Sequence, residues 1–140
     1  MKEPFYIPYD DIEIGDRAEL SVTLTEEEVN VFSALIGDTN SFHVSDEAAA
    51  ITPFEKRICH GVHLLAYVSV TIGQKLPGFG TIYCSHTFEF HSPVFLGQGI
   101  KVAVEVTEKL PHHRLRLNTA ITREDGAPVM TGEAVVKTYR

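Results

Sequence analysis

The chain has 140 residues, 44% of them hydrophobic and 22% charged, a balance typical of one globular domain rather than of a disordered or fibrous chain. A formal net charge of −7 argues against non-specific nucleic-acid binding, which depends on neutralising phosphates. The two cysteines are too few for a disulfide framework, and we expect a reducing, cytoplasmic setting. We expect no signal peptide, since residues 1–9 have neither a basic start nor an apolar run. We expect no membrane span either, since no segment approaches roughly 20 apolar residues.

The first part of the chain predicts a strand followed by helices. Residues 16–24 alternate in polarity as a half-buried strand does, with one face formed by Ala18, Leu20, Val22 and Leu24. Thr25 then opens a capping-box pattern and Gly37 is a natural helix stop. We expect residues 38–44 to form a loop, and Ser45 to open a short helix that closes before Pro53.

The second part predicts one buried helix and then a run of strands. Residues 61–76 are apolar almost all round, as in a helix covered by other elements on most sides. From residue 81 the period becomes two, and one strand is expected to present Ile82, Cys84, Phe88 and Phe90 on one face. Strands follow with faces at Ile100, Val102, Val104 and Val106, and at Leu115, Leu117 and Ile121.

Asp125-Gly126 is a hairpin signal, and residues 129–138 are expected to form the last strand. No repeat or linker divides residues 1–140, so we expect a single α+β domain. Its antiparallel sheet should curve around one long central helix.

The densest polar segment lies between the two parts, from Asp38 to His43. A carboxylate and an imidazole held together can take one proton and deliver another. Because Gly37 ends the preceding helix, the loop can bring both side chains to one point. The plainer interpretation, in which Asp38 closes a turn and His43 is an ordinary loop histidine, fits the spacing equally well.

A second candidate is Gly61, at the start of the apolar helix. Its backbone N–H would lie at the positive end of the helix dipole, where a carbonyl gaining negative charge is stabilised. Close helix–sheet packing is the plainer reason for a glycine there. Cysteines and histidines near this point raise a metal hypothesis, from Cys59, His60 and His63 together with Cys84, His86 and His91. No Asp or Glu completes either set at a usual spacing, so we expect no metal.

Several segments together resemble one family. They are Gly37-Asp38-Thr39-Asn40-Ser41-Phe42-His43, Ala48-Ala49-Ala50, Cys59-His60-Gly61, Ser92-Pro93-Val94-Phe95-Leu96-Gly97 and Thr131-Gly132-Glu133-Ala134-Val135-Val136-Lys137. The first is similar to the hydratase 2 motif of MaoC-like dehydratases, whose core is G-D-x-N-P-aliphatic-H. The similarity covers about residues 10–138, and the chain is identified as a short, single-domain member.

The resemblance implies a hot dog fold and the chemistry of an (R)-specific enoyl-CoA hydratase, which adds water to trans-2-enoyl-CoA to give (R)-3-hydroxyacyl-CoA. Asp38 would activate the water, His43 would protonate C2, and Asn40 would order the loop and the water. The Gly61 N–H would polarise the thioester carbonyl, and Ser69 matches a polar position of the acyl pocket. The resemblance also implies a homodimer and no metal or redox cofactor, since CoA is part of the acyl-CoA substrate.

Two residues depart from the family motif. Ser41 replaces its proline, which should make the loop less rigid, and Phe42 replaces its aliphatic residue. Phe42, together with Tyr67 and Ile72 of the long helix, indicates limited room in the acyl pocket and hence short to medium enoyl chains. The alternatives are an acyl-CoA thioesterase of the hot dog fold and a non-catalytic acyl-CoA-binding subunit.

Overall fold

The structure is a computed structural model that describes residues 3–38 and 41–140. After a short 3-10 helix at Tyr9–Asp11, its elements in chain order are β1 (Arg17–Thr23), α1 (Glu26–Ile36), α2 (Ser41–Val44), α3 (Asp46–Ala50), α4 (Gly61–Gln74), β2 (Ile82–Phe90), β3 (Gly99–Leu110), β4 (Arg114–Arg123) and β5 (Pro128–Lys137). Among the helices of these described residues, none has the length and apolarity to cross a bilayer. The elements confirm the predicted α+β class.

One antiparallel sheet of five strands holds the molecule together, in the order β1-β3-β4-β5-β2. The predicted hairpin at Asp125-Gly126 joins β4 to β5, with Gly126 at a φ of 88° and the Arg123 N–H donating to the Ala127 carbonyl at 2.9 Å. Strands β1 and β2 are the two edges of the sheet.

Helix α4 packs one side against the sheet and leaves the other exposed. The side that faces the sheet carries the buried residues Leu64, Val68 and Ile72. They form the core with side chains of β3, β4 and β5. Burial of each such side chain contributes roughly 1.5–3 kcal/mol. The opposite side presents Val62, Ala66 and Ser69, and Val62 is 59% exposed. Within the described part of the chain, the apolar residues around α4 are therefore covered on one side of the helix only.

Helix termini follow the sequence signals. Thr25 Oγ1 accepts from the Glu28 N–H at 3.2 Å, and Ser45 Oγ accepts from the Ala48 N–H at 3.2 Å. Gly37 ends α1 in the left-handed region at a φ of 71°. The predicted loop over residues 38–44 was wrong in part, because Ser41–Val44 is helical. A helix of a single turn is too short for a 3.6-residue pattern to reveal it.

The side chains of β2 do not all point to the predicted faces of the sheet, because the strand contains a bulge at Cys84. The register runs from Tyr83↔Val136 to Ser85↔Val135, so one extra residue reverses the alternation. Ile82, opposite Lys137, therefore lies on the other face from Phe88. The core side of β2 carries a continuous row of four rings. They are Tyr83, His86, Phe88 and Phe90, with successive ring centroids 5.6, 5.2 and 5.4 Å apart.

Candidate active site

An apolar cavity of about 430 Å³ opens at the start of α4. Its walls come from α2, the segment before α4, α4 itself and the end of β2. Residues lining it include Phe42, His43, Phe54, Gly61, Phe90 and Pro93. Apolar walls with a few polar groups are typical of a small-molecule site.

His43 is fixed in this wall by hydrogen bonds to two residues of the segment before α4. Its ring is 8% exposed, and Nδ1 lies 2.7 Å from the Ile58 carbonyl oxygen. Because a carbonyl only accepts, Nδ1 carries the hydrogen and Nε2 is left for proton exchange. The buried Arg57 donates from Nε to the His43 carbonyl at 2.8 Å and from Nη1 to Glu26 at 2.9 Å, which ties α2 to α1.

Asp38 follows the end of α1, and its backbone N–H donates to the Ser33 carbonyl at 2.9 Å. Its side chain is 31% exposed, and Oδ2 lies 2.9 Å from Nε2 of His60. One carboxylate oxygen of Asp38, one ring nitrogen of His43 and one of His60 lie within 4.8 Å of one another. The structure thus brings the two predicted acid–base side chains together. Asn40 lies outside the described residues.

Gly61 is the first residue of α4, a position whose N–H has no acceptor within the helix. It lines the cavity, and a Cβ added there would lie 2.6 Å from Cζ of Phe90. The glycine therefore leaves its N–H accessible to a ligand and also permits close packing of Phe90. Both interpretations offered by the sequence are compatible with this geometry.

The residues predicted for the acyl pocket have three different environments. Phe42 lines the cavity, with its ring centroid 4.4 Å from that of His43. Ser69 is on the exposed side of α4, and Ile72 is 2% exposed in the core. Neither Ser69 nor Ile72 borders the cavity beside His43, and their acyl-pocket role stays a prediction. Tyr67 donates its hydroxyl hydrogen to Glu28.

Sequence reasoning missed His60, which was considered only as a metal ligand. Its side chain is 4% exposed and its ring stacks on His43, with centroids 3.8 Å apart and planes at 23°. Burial lowers the pKa of His60, His43 lowers it further, and Asp38 opposes the change. The available signal was the position of His60 directly before Gly61 in a segment already associated with the site.

A second buried polar cluster lies behind the first and joins α1 to α4. His63 Nε2 is 3.5 Å from Glu28 Oε2, and the His63 ring stacks on Phe32 at 4.3 Å. Burial lowers the pKa of His63 and Glu28 opposes that change. Burial and the hydrogen bond to Glu28 both raise the pKa of Tyr67. At neutral pH this cluster is therefore a neutral histidine and a neutral phenol around one carboxyl group.

The geometry does not favour a metal at the histidines. Ring lone pairs lie in the ring plane, and the nearly parallel planes of His43 and His60 do not meet at one ion near both nitrogens. Burial raises the pKa of Cys59 to about 12, which keeps it a thiol rather than a ligating thiolate. Both ring nitrogens of His86 are already engaged, Nδ1 by Tyr83 and Nε2 by Thr119 at 2.7 Å.

A curved antiparallel sheet packed on one long helix, with the site at the start of that helix, defines a hot dog fold. Residues 12–126 match the family described as MaoC like domain, and the chain belongs to that family.

Known relatives extend over most of the chain. It is 41% identical to the (R)-specific enoyl-CoA hydratase of Aeromonas caviae, over 90% of this chain and 95% of that one. It is 38% identical to the 3-hydroxybutyryl-CoA dehydratase of Methylorubrum extorquens, over 92% and 82%. The unliganded R-hydratase of Pseudomonas aeruginosa superposes with a TM-score of 0.90 at 41% identity, covering 95% of this chain and 86% of that one.

Proposed function

We propose that this protein is an (R)-specific enoyl-CoA hydratase, a hydro-lyase that adds water to trans-2-enoyl-CoA and gives (R)-3-hydroxyacyl-CoA. The observation that carries the proposal is the approach of the Asp38 and His43 functional atoms to within 4.8 Å beside an apolar cavity. The hydratase and dehydratase relatives support it, because they match at 38% and 41% identity over nine-tenths or more of the chain.

In this proposal Gly61, Asp38, His43 and Asn40 each have one role. The Gly61 N–H binds the thioester oxygen, which gains negative charge as C3 is attacked. Asp38 accepts one proton from water while the water oxygen bonds to C3. His43, protonated on both nitrogens, donates from Nε2 to C2, and the proton on Asp38 then returns to His43. Asn40 would position the water.

The proposed chemistry needs only protein side chains, water and the acyl-CoA. Proton transfer by positioned groups contributes roughly 10²–10⁴-fold to a rate without any redox step. We therefore propose that no cofactor takes part. Turnover should be unchanged after exhaustive dialysis against EDTA, and a loss restored by one metal ion would contradict this.

One assay separates hydration from the alternatives. Crotonyl-CoA is incubated with the protein while the enoyl-thioester absorbance and free thiol are followed together. Falling absorbance without thiol, with an (R)-3-hydroxy product by chiral analysis, is the expected result. Thiol release would identify a thioesterase, and no change would identify a binding subunit. The matched control is Asp38→Asn, which should lose the absorbance change.

The proposal includes a cytoplasmic homodimer. Cys59 and Cys84 are free thiols, which fits a reducing compartment. Support for a homodimer comes from the exposed side of α4 and from the edge position of β2.

A further inference from the structure

We propose that His60 is a positioning residue of the hydration reaction: its neutral imidazole holds Asp38 in one orientation and keeps the positive charge of the site on His43. This inference rests on the proposed hydratase function. It assigns a role to a buried side chain that contacts both members of the acid–base pair.

The first support is the location of the His60 ring. It contacts Asp38 through Nε2 at 2.9 Å and His43 through its face at 3.8 Å between centroids. The Phe32 ring packs edge-on against a third side of the His60 ring, with the two centroids 5.1 Å apart. The Asp38 oxygen lies off the line of a hydrogen bond from Nε2, so the contact is mainly electrostatic. A ring enclosed in this way cannot turn without displacing one of the two reacting side chains.

The second support is charge. His60 precedes the first residue of α4, where the positive end of the helix dipole disfavours a cation. A proton on His60 would also oppose one on His43, because the stacked rings are 3.8 Å apart. Burial, His43 and His63 all lower the pKa of His60, and Asp38 raises it. The stacked pair therefore carries at most one positive charge, and His60 is the ring that stays neutral.

The contact between His60 and Asp38 affects the step after each addition of water, when Asp38 carries a proton and His43 has lost one. The partial positive charge of the His60 Nε2–H, 2.9 Å from Asp38 Oδ2, favours the charged form of the carboxyl group even without an aligned hydrogen bond. The Nε2–H of His60 therefore favours return of the proton from Asp38 to His43, which restores both groups. Removal of this N–H should slow the chemical cycle while the acyl-CoA contacts stay unchanged.

The test compares His60→Leu with His60→Gln, whose amide N–H can take the place of Nε2–H. His63→Leu is the matched control, since His63 is equally buried, lies in the first turn of α4 and faces Glu28 and Phe32. With crotonyl-CoA we expect kcat of His60→Leu to fall on the order of 10²-fold, as for a misplaced reacting group, with KM little changed. His60→Gln should recover most of that loss. His63→Leu should keep kcat near wild type while its melting temperature falls.

Equal kcat in the His60→Leu and His63→Leu proteins would overturn the proposal, as would failure of His60→Gln to recover activity while folded. Imidazole ¹⁵N chemical shifts of the wild-type protein give a second measurement that needs no variant. They should show His60 neutral with its hydrogen on Nε2 at pH 7, and a charged ring or an Nδ1–H form would also overturn it. Absence of wild-type turnover would refute the hydratase function itself, whereas turnover without any His60 effect would refute only this inference.

Discussion

Asp38 follows the end of α1 and His43 lies in α2, and their side chains meet at one point. Addition of water needs both a base and an acid, so neither proton transfer is useful without the other. We expect Asp38→Asn and His43→Ala each to reduce turnover by roughly 10²–10⁴-fold or more. Substrate binding should change little, because the Gly61 N–H and the cavity wall remain. Groups that act as a unit are strongly non-additive, so the double variant should be scarcely worse than either single one.

Single-turnover rates of the three variants check this prediction. Near wild-type turnover in Asp38→Asn would exclude Asp38 as the base. Fully additive losses would instead show that the two side chains contribute independently.

We expect Phe42 to limit how much acyl chain the cavity accepts. Its ring lies against His43 in a wall that also contains Phe54 and Phe90. We expect crotonyl-CoA to be turned over faster than a twelve-carbon enoyl-CoA, and Phe42→Val to raise kcat/KM for the longer substrate relative to the shorter. Steady-state rates over a series of chain lengths measure this. A wild-type preference for the twelve-carbon substrate would contradict it.

Gly61 and Phe90 form a pair that can be tested by a double variant. A Cβ at residue 61 would lie 2.6 Å from Cζ of Phe90, the far end of a side chain that is 46% exposed. We expect Gly61→Ala to displace that ring into the cavity and lower kcat/KM on the order of 10-fold, with little loss of stability. Phe90→Leu in the same chain should restore most of the activity. No restoration would mean that the added methyl group acts on the Gly61 N–H itself.

For helices and strands, the sequence predicted those features that depend on residues close together in the chain. Thr25 and Gly37 bound α1 as their hydrogen-bonding and conformational preferences require, and alternation located the strands. The bulge at Cys84 was missed, because one extra residue leaves no composition signal yet exchanges the two faces. The contact between His60 and Asp38 was missed because it depends on how α4 packs against the end of α1.

The buried histidines at the start of α4, His60 and His63, couple protonation to stability. Burial lowers the pKa of His60 and of His63 below the ordinary 6.5 that each regains on unfolding. The unfolded chain therefore binds more protons below about pH 6.5, so stability is fully present above that pH and is lost as pH falls toward the lowered values. Each histidine changes the free energy of unfolding by at most about 1.4 kcal/mol per pH unit.

We expect the melting temperature to fall between pH 7.5 and about pH 5.5, a window chosen above the ordinary titration range of carboxyl groups. His63→Leu should show a shallower fall, since it removes the histidine that faces Glu28, Phe32 and Tyr67. Thermal unfolding at a series of pH values measures both slopes. Parallel curves for the two proteins would show that His63 does not contribute.

For the whole molecule, the α+β class and the curved sheet followed from the order of elements, but the strand order did not. Strand β2 precedes β3 in the chain and pairs with β5, the last strand. Local patterns carry no information on such a long-range pairing. The order nevertheless decides which strand remains at an edge, and with it which surface is available for assembly.

The exposed surfaces of the chain predict a homodimer formed through β2 and α4. An edge strand presents unpaired N–H and C=O groups, and β2 adds the half-exposed rings of Tyr83, Phe88 and Phe90 on its core side. A second copy related by a twofold axis can pair β2 with β2 and cover the exposed side of α4, including Val62.

Sedimentation should then give about twice the chain mass of 15.5 kDa at micromolar concentration. We expect Phe88→Lys to shift the protein toward monomer and reduce turnover, because a charge replaces a ring on the paired surface. Thr87→Lys is the control, since Thr87 is exposed on the opposite face of the same strand, across from Glu133. A stable, fully active monomer, or equal dissociation of the two variants, would contradict this interface. Loss of activity together with loss of the dimer would instead show that the cavity beside Phe90 needs the second copy to bind its substrate.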